Sequence, residues 1–558
     1  MSEINATVIT IVIIYFIIIT IIGIWSRRYL RAPTDYHIAG RQVGAFVNGS
    51  AYIASYFSPA SLLGLPAFIF LLSYPMYWAL LGITAILPIG AGLVAAQLRR
   101  YAPVSVLDYY ADRYESPKLS RVLLTFAVFW GGILYIVLSI VGMALALVAI
   151  AHIGYLYSLA ISVIIVIIYV WFGGMIATTW NAAFQAWVML LAAWAVVAGV
   201  IAKAGGWGAL WHHVVAANPK FFYSGPFNEL FVKTLVKKNF DPSVLYASGA
   251  IGTILFYFTW HFGALSMPYA IVRIFTATDE RTARWTMVWA GLIGNLFYIA
   301  LIIIGSAAAF FIASYHPIAQ QLHGHVIPFH GLKEKFENYP PLIQSVIVLA
   351  TEAHKYNVPG TNIPDYSTLA VAEAVGNNVI LGLLTAGALA IAMPTVASWA
   401  VLMSTIVSRD WPRHIFEKPL SPEKEIFLAR ITATVLILIG MLIAFSPPAL
   451  ILDMSGAAFV VLVSTLAPPL FLGIWWRRPG KWALITHVII MFPLTTFTWL
   501  YAKYHWGSPH AFAFNPKYAT PHQAYWVFVG FLVFIILSLI FKPPKRETVE
   551  KYVDALHG

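Results

Sequence analysis

The feature that most constrains this chain is the recurrence of apolar runs of about 18 residues or more, separated by polar loops. A run of that length crosses the hydrocarbon of a bilayer as a helix, because a helix satisfies every backbone donor and acceptor within its own segment. Hydropathy places thirteen such crossings, at about 5–25, 45–72, 76–98, 121–151, 155–172, 177–202, 246–271, 285–313, 378–407, 427–446, 450–475, 482–502 and 524–541. Hydrophobic residues make up 60% of the chain and charged ones 10%, which is the balance of an all-α polytopic membrane protein and not of a soluble domain. The first run, Val8 to Trp25, has no small-residue cleavage pattern after it and reads as a retained helix. There is no cysteine, so disulfides, thiolate metal sites and thiol catalysis are excluded.

Charge placement orients the crossings. Segments 26–44, 99–121, 272–284, 408–430 and 476–481 and the tail from 542 hold 24 of the 34 lysines and arginines. Alternate loops therefore face the cytoplasm, which puts the N-terminus outside and the C-terminus inside. The net charge of +12 reflects this topology and contact with anionic lipid, not a nucleic-acid partner. The longer outer loops, 203–245 and 314–377, are rich in Pro, Gly and His. Eleven of the sixteen histidines lie on that side, read either as plain loop polarity or as adaptation to an acidic exterior.

Within the second crossing lies Asn48 to Gly64, NGSAYIASYFSPASLLG, crowded with small and hydroxyl residues. Pro59 has no amide hydrogen, so the carbonyl of Ser55 loses its helical partner. In hydrocarbon such a carbonyl needs protein or a lined cavity around it. The plain reading is a kinked helix packed on small neighbours; the functional one is a binding site. Five crossings later FYFTWHFGALSMPYAIVR is interrupted in the same way by Gly263, Ser266 and Pro268. Two interrupted helices in corresponding positions point to a five-plus-five inverted repeat with its site at the breaks.

These residues resemble a known family. DYHIAGRQ (Asp35 to Gln42), the Asn48 stretch, VLDYYADRY (Val106 to Tyr114), FGGMIATTW (Phe172 to Trp180), PYAIVRIFTATD (Pro268 to Asp279) and SRDW (Ser408 to Trp411) resemble, in order, the landmarks of the sodium:solute symporter family, acetate/monocarboxylate permease branch. The resemblance covers about residues 5 to 475. It implies a LeuT-type core with one extra N-terminal helix and two extra C-terminal helices. The chain then divides into 1–42 (extra helix and cytoplasmic loop), 43–203 (first repeat), 204–245 (outer loop), 246–476 (second repeat), 477–541 (two helices) and 542–558 (tail). It further implies a sodium site made by the carbonyls of Ala54, Phe57 and Ile391 with Thr395, and Ser398 beside it. Pro394 replaces a hydroxyl found in sugar-transporting members, but frees the carbonyl of Ala390 as a substitute. Ala182 stands where many sodium-coupled members carry an aspartate. Coupling is accordingly expected through Na+ or H+.

For the substrate, the broken helices offer Tyr56, Ser58 and Ser61 from the first and Thr259, Trp260 and His261 from the second, with Tyr135 and Ser139 facing them. Hydroxyls and a half-helix N-terminus hold a small carboxylate without an arginine. His261 is the proton-coupling candidate, since an ionisable group inside the membrane is functional by default; a core histidine bonded to a carbonyl is the alternative. Ordinary packing is the alternative for the aromatic residues. The expected function is uptake of acetate, propionate, lactate or pyruvate across the cell membrane, with an amino acid or other small polar solute as second choice. A haem or copper redox enzyme needs several clustered histidines, and only His261 and His487 lie within the spans. Without clustered carboxylates or a Ser/His/Asp set there, the chain does not read as an enzyme. A channel remains a rival that counterflow would exclude.

Overall fold

The computed structural model describes residues 6–29, 32–72, 75–151, 154–219, 221, 259–329, 332–339, 341–357, 364–449, 451–505 and 525–557. Residues 222–258 lie outside these, and with them most of the first long outer loop and the start of the expected 246–271 crossing. The described helices include α1 (Ala6–Ser26), α2 (Ala45–Tyr56), α3 (Leu65–Leu72), α4 (Pro75–Gly90), α5 (Leu119–Ala151), α6 (Tyr155–Ala204), α7 (Pro268–Phe275), α8 (Glu280–Tyr315), α9 (Asn378–Thr405), α10 (Pro422–Ala444), α11 (Ile451–Trp475), α12 (Lys481–His505) and α13 (Tyr525–Ile540). Eight described helices are long and apolar enough to cross a membrane. One element departs from the all-α expectation: a hairpin of Val326–Phe329 with Leu332–Lys335 in the second outer loop.

α1 shows how the bilayer decides local structure. Its sequence, ATVITIVIIYFIIITIIGIWS, is dominated by β-branched residues that favour strands in water. In lipid the helix wins, because a lone strand leaves its amides unpaired. Val8, Val12, Tyr15 and Ile19, at helical spacing, are buried against α6 and α9. Ile13, Ile17, Ile21 and Ile24 are exposed on the other side. Tyr15 pins the contact: it accepts from Gln185 Nε2 at 2.8 Å and its hydroxyl reaches Met393 Sδ at 3.5 Å.

Both expected breaks are present. The helix stops after Tyr56, Phe57 is extended (φ −67°, ψ 147°), and helical backbone resumes at Pro59 through a wide turn, Ala60–Gly64, into α3. In the 246–271 crossing residues 259–266 are helical, Met267 is extended, and α7 begins at Pro268. The two breaks satisfy each other. Pro268 leaves the Ala264 carbonyl without its helical donor, and the Tyr52 hydroxyl donates to it at 2.5 Å. Tyr269 returns the bond to the Tyr56 carbonyl at 3.1 Å. Asn48 ties the arms again, donating to the Arg273 carbonyl at 2.7 Å and accepting from Thr276 at 2.8 Å.

A third interruption divides α6 at Gly174 (φ 54°, ψ −176°), within the Phe172–Trp180 landmark. That backbone region is open to glycine and strained for other residues. The packing around the first break is equally exacting. A Cβ on Gly142 of α5 would come within 2.2 Å of the Pro59 ring, so only glycine lets α5 approach the break so closely. Without a hydrophobic drive between helices in lipid, such small-residue approaches supply the contacts.

Candidate functional site

The two breaks enclose a small cavity of about 10 Å³, room for about one water molecule in this conformation. It is lined by Tyr56, Ser58, Ala60, Ser61 and Leu65 of the first broken helix, Trp260 of the second, Tyr135 of α5, Tyr298 of α8 and Ser455 of α11. None of these nine is charged. Phe459 of α11 walls one side, its ring 4.1 Å from Trp260 and 6.1 Å from both Tyr56 and Tyr135. Tyr135 and Ser455 share a hydrogen bond of 3.0 Å. The Tyr56 hydroxyl is buried without a hydrogen-bond partner. A buried polar atom left unsatisfied is costly, and a ligand in this cavity removes that cost.

Of the residues expected at a substrate site, Tyr56, Ser58, Ser61, Tyr135 and Trp260 thus meet at one cavity. Thr259 and His261 are buried beside Trp260 but do not line it, and neither does Ser139, whose hydroxyl is buried and unpartnered one turn along α5 from Tyr135. Sequence reasoning missed Tyr298, Ser455, Leu65 and Phe459. Tyr298 and Phe459 sit in apolar helices whose composition gives no sign of which face meets the breaks.

The oxygen cluster expected at the first break forms around Thr395. Its hydroxyl donates to the Phe57 carbonyl and lies 3.4 Å from the Ser55 carbonyl and 3.1 Å from the Ile391 carbonyl of its own helix. Ser398, one turn on, bonds Ser55 Oγ at 3.1 Å. The observed partner carbonyl is therefore that of Ser55, the one Pro59 frees, where Ala54 was expected. Ala54 and Ala390 are both buried nearby on α2 and α9. Hard neutral oxygens from two helices suit a monovalent cation.

One finding overturns an expectation. Arg273, counted among cytoplasmic loop residues, is fully buried in α7. Its guanidinium donates to Ser55 Oγ from Nε (3.2 Å) and Nη2 (3.0 Å), to Ser398 Oγ at 3.1 Å and to Thr179 Oγ1 at 2.5 Å, and contacts Met175 Sδ at 3.4 Å. The core interior thus contains a permanent positive charge. Loop counting assigned it to solvent because it lies six residues before the acidic cap Asp279 of α8. His487, the other intramembrane histidine, places Nε2 3.1 Å from the Ser464 carbonyl and ties α12 to α11.

Two polar networks flank the core. In one of them the landmarks VLDYYADRY and SRDW come together. Asp108 bonds Arg121 at 2.7 Å and lies 3.5 Å from Arg409, which pairs with Asp410 at 2.7 Å; Ser105 donates to Asp410. Burial and the neighbouring Asp108 push Asp410 up to about 6. In the other His316 Nε2 bonds Glu373 at 3.0 Å and sits 3.1 Å from Glu352, while Tyr366 donates to Glu373 at 2.9 Å. Burial opposes the imidazolium, but the two carboxylates outweigh it and hold His316 at about 9.

Two interrupted helices meeting at a small buried cavity, with backbone and hydroxyl oxygens gathered at the first break, are the arrangement that secondary transporters use. Residues 36–489 match the sodium:solute symporter family, and the chain belongs to that family. Its fold is similar to that of a Na+-coupled sialic acid symporter in a substrate-bound, outward-open state, at 16% identity and a TM-score of 0.68 over 97% of this chain and 99% of the other. A nucleobase-cation-symport-1 family transporter, in a closed conformation with bromovinylhydantoin bound, matches at 12% identity and a TM-score of 0.46 over 94% of this chain and 98% of its own. The protein is a multi-pass membrane protein of the cell membrane, and its family implies cation:solute symport with sodium coupling.

Proposed function

We propose that this symporter takes up a small monocarboxylate such as acetate, propionate, lactate or pyruvate by alternating access, through thirteen crossings with the N-terminus outside. The observation that carries the reading is the cavity: small, uncharged, rich in hydroxyls and aromatic rings, with the buried Tyr56 hydroxyl lacking a partner. The helix that restarts at Pro59 presents its N-terminus to the same space, and its positive dipole end favours an anion. Ser58 and Ser61 add donors, while Trp260, Leu65 and the Phe459 wall suit a short apolar tail. An amino acid is the second reading, but no lining residue is a carboxylate able to pair with its ammonium.

In this reading the cation binds among Thr395 and the carbonyls of Ser55, Phe57 and Ile391. It stabilises the break, and so couples its own binding to the shape of the cavity one turn away. The Asp108–Arg409–Asp410 network holds the cytoplasmic ends of the landmarks together while the site is closed on that side. The test is uptake of labelled acetate and lactate into proteoliposomes under separately imposed sodium and proton gradients. Sodium-driven uptake that Thr395→Ala abolishes supports the assignment. Uptake driven by protons alone moves coupling to His261, and no uptake of either acid under any gradient rejects the monocarboxylate reading.

A further inference from the structure

The family leads to a mobile ion at the first break, yet the break already holds a cation that is part of the chain. Arg273 reaches from α7 to the side of the Thr395 cluster and takes the hydroxyls of Ser55 and Ser398 as acceptors, the second with Nη2 at 3.1 Å. Both hydroxyls belong to the residues that border the ion position: Ser55 contributes its carbonyl to Thr395, and Ser398 was expected to serve the ion directly. We propose that Arg273 is a tethered cation of the coupling site. It occupies the Ser55–Ser398 half, confines the mobile ion to Thr395 and the carbonyls of Ser55, Phe57 and Ile391, and lowers the affinity for that ion. This rests on the cation site placed there above, and is independent of which solute the cavity takes.

The physical argument is one of charge and of ligands. A guanidinium stays charged in any protein environment, and two like charges a few ångströms apart repel strongly where water is excluded. Each hydroxyl that accepts from Arg273 also turns a lone pair away from the ion. Thr179, the third acceptor, lies on α6 at 2.5 Å from Nη1. Ala182, buried, follows it by three residues, nearly one helical turn, so a carboxylate placed there lies on the same face of α6 as Thr179.

The experiment is equilibrium binding of radiolabelled sodium to the purified full-length protein in detergent, without organic substrate, for four proteins. The unaltered chain binds one ion weakly. Arg273→Met, which removes charge and donors but adds no ligand, binds sodium about tenfold more tightly or better. Arg273→Lys, which keeps the charge, stays within about threefold of the unaltered chain. Ala182→Asp, which keeps the guanidinium and offsets its charge, also gains about tenfold. Equal affinity of Arg273→Met and the unaltered chain, or a gain in Arg273→Lys matching that of Arg273→Met, overturns the proposal. Should Arg273→Met show no cooperative melting, Arg273→Gln, which keeps donors for Ser55 and Ser398 but not the charge, takes its place: a gain supports the tethered cation and unchanged affinity rejects it. Sodium binding to none of the four removes the cation site and this inference together. Failure of acetate transport alone, with the affinity series as stated, removes only the solute assignment.

Discussion

At the scale of single residues, the site depends on hydroxyls whose positions are fixed by backbone that cannot bond to itself. Tyr56 is the clearest case: its ring is buried against Phe459 and its hydroxyl has no partner. Tyr56→Phe keeps the ring and removes the donor to a bound carboxylate. Uptake assays should show KM rising by about tenfold or more, the worth of a hydrogen bond to a charged group, with the melting temperature little changed. An unchanged KM would place the substrate elsewhere. The hydroxyl residues at the break were legible in the sequence because Pro59 and its neighbours act locally. Arg273 was not. Its charge counts as loop by hydropathy and as topology by position, and only the crossing of α7 with α2 and α9 brings it to Ser55 and Ser398.

At the scale of elements, the decisive feature is two interrupted helices that complete each other's hydrogen bonds. Tyr52 serves the carbonyl freed by Pro268, and Tyr269 serves the first break, so neither helix holds its shape without the other. The breaks themselves could be foreseen, since proline and glycine remove donors wherever they stand. Their reciprocity could not, because nothing local pairs residue 52 with 264. α5 supports the arrangement by its approach at Gly142. Gly142→Ala puts a methyl group where the Pro59 ring lies, 2.2 Å from its Cβ, and neither backbone can yield easily. The expected loss of stability is roughly 1–3 kcal/mol, read as a lower melting temperature in detergent, with reduced uptake as α5 shifts from the break. A variant as stable and active as the parent would show that the approach is not tight.

At the scale of the whole molecule, the core is flanked by two charged networks drawn from distant segments. The one around His316 makes stability depend on pH. His316 carries a pKa raised from 6.5 to about 9, so the folded state binds its proton more tightly than the unfolded chain does. The stability it contributes is complete below pH 6.5 and is lost as pH rises through 9. Glu352, raised from 4.5 to about 6 by burial and by Glu373, acts in the same direction at lower pH. The melting temperature should therefore fall from pH 6.5 to pH 9 more steeply in the unaltered protein than in His316→Gln. Parallel curves would mean the histidine titrates alike in both states. Among the described residues of the histidine-rich loops, His316 is buried between two carboxylates, a placement that loop composition alone did not single out.

The sequence by itself determined the class of solvent, the helical state, the positions of both breaks and the hydroxyls around them. Each of these follows from a local rule: an apolar run in lipid must close its own hydrogen bonds, and a proline cannot. Tertiary structure alone decided which faces meet. It selected Tyr298, Ser455 and Phe459 from uniform apolar helices, joined Asp108 to Arg409 across 301 residues of chain, and turned Arg273 inward to the cation cluster. Those outcomes depend on the rotation and depth of helices packed against one another, and in lipid these are set by close contacts such as Gly142 on Pro59 and by buried hydrogen bonds, which have no signature in any single stretch of sequence.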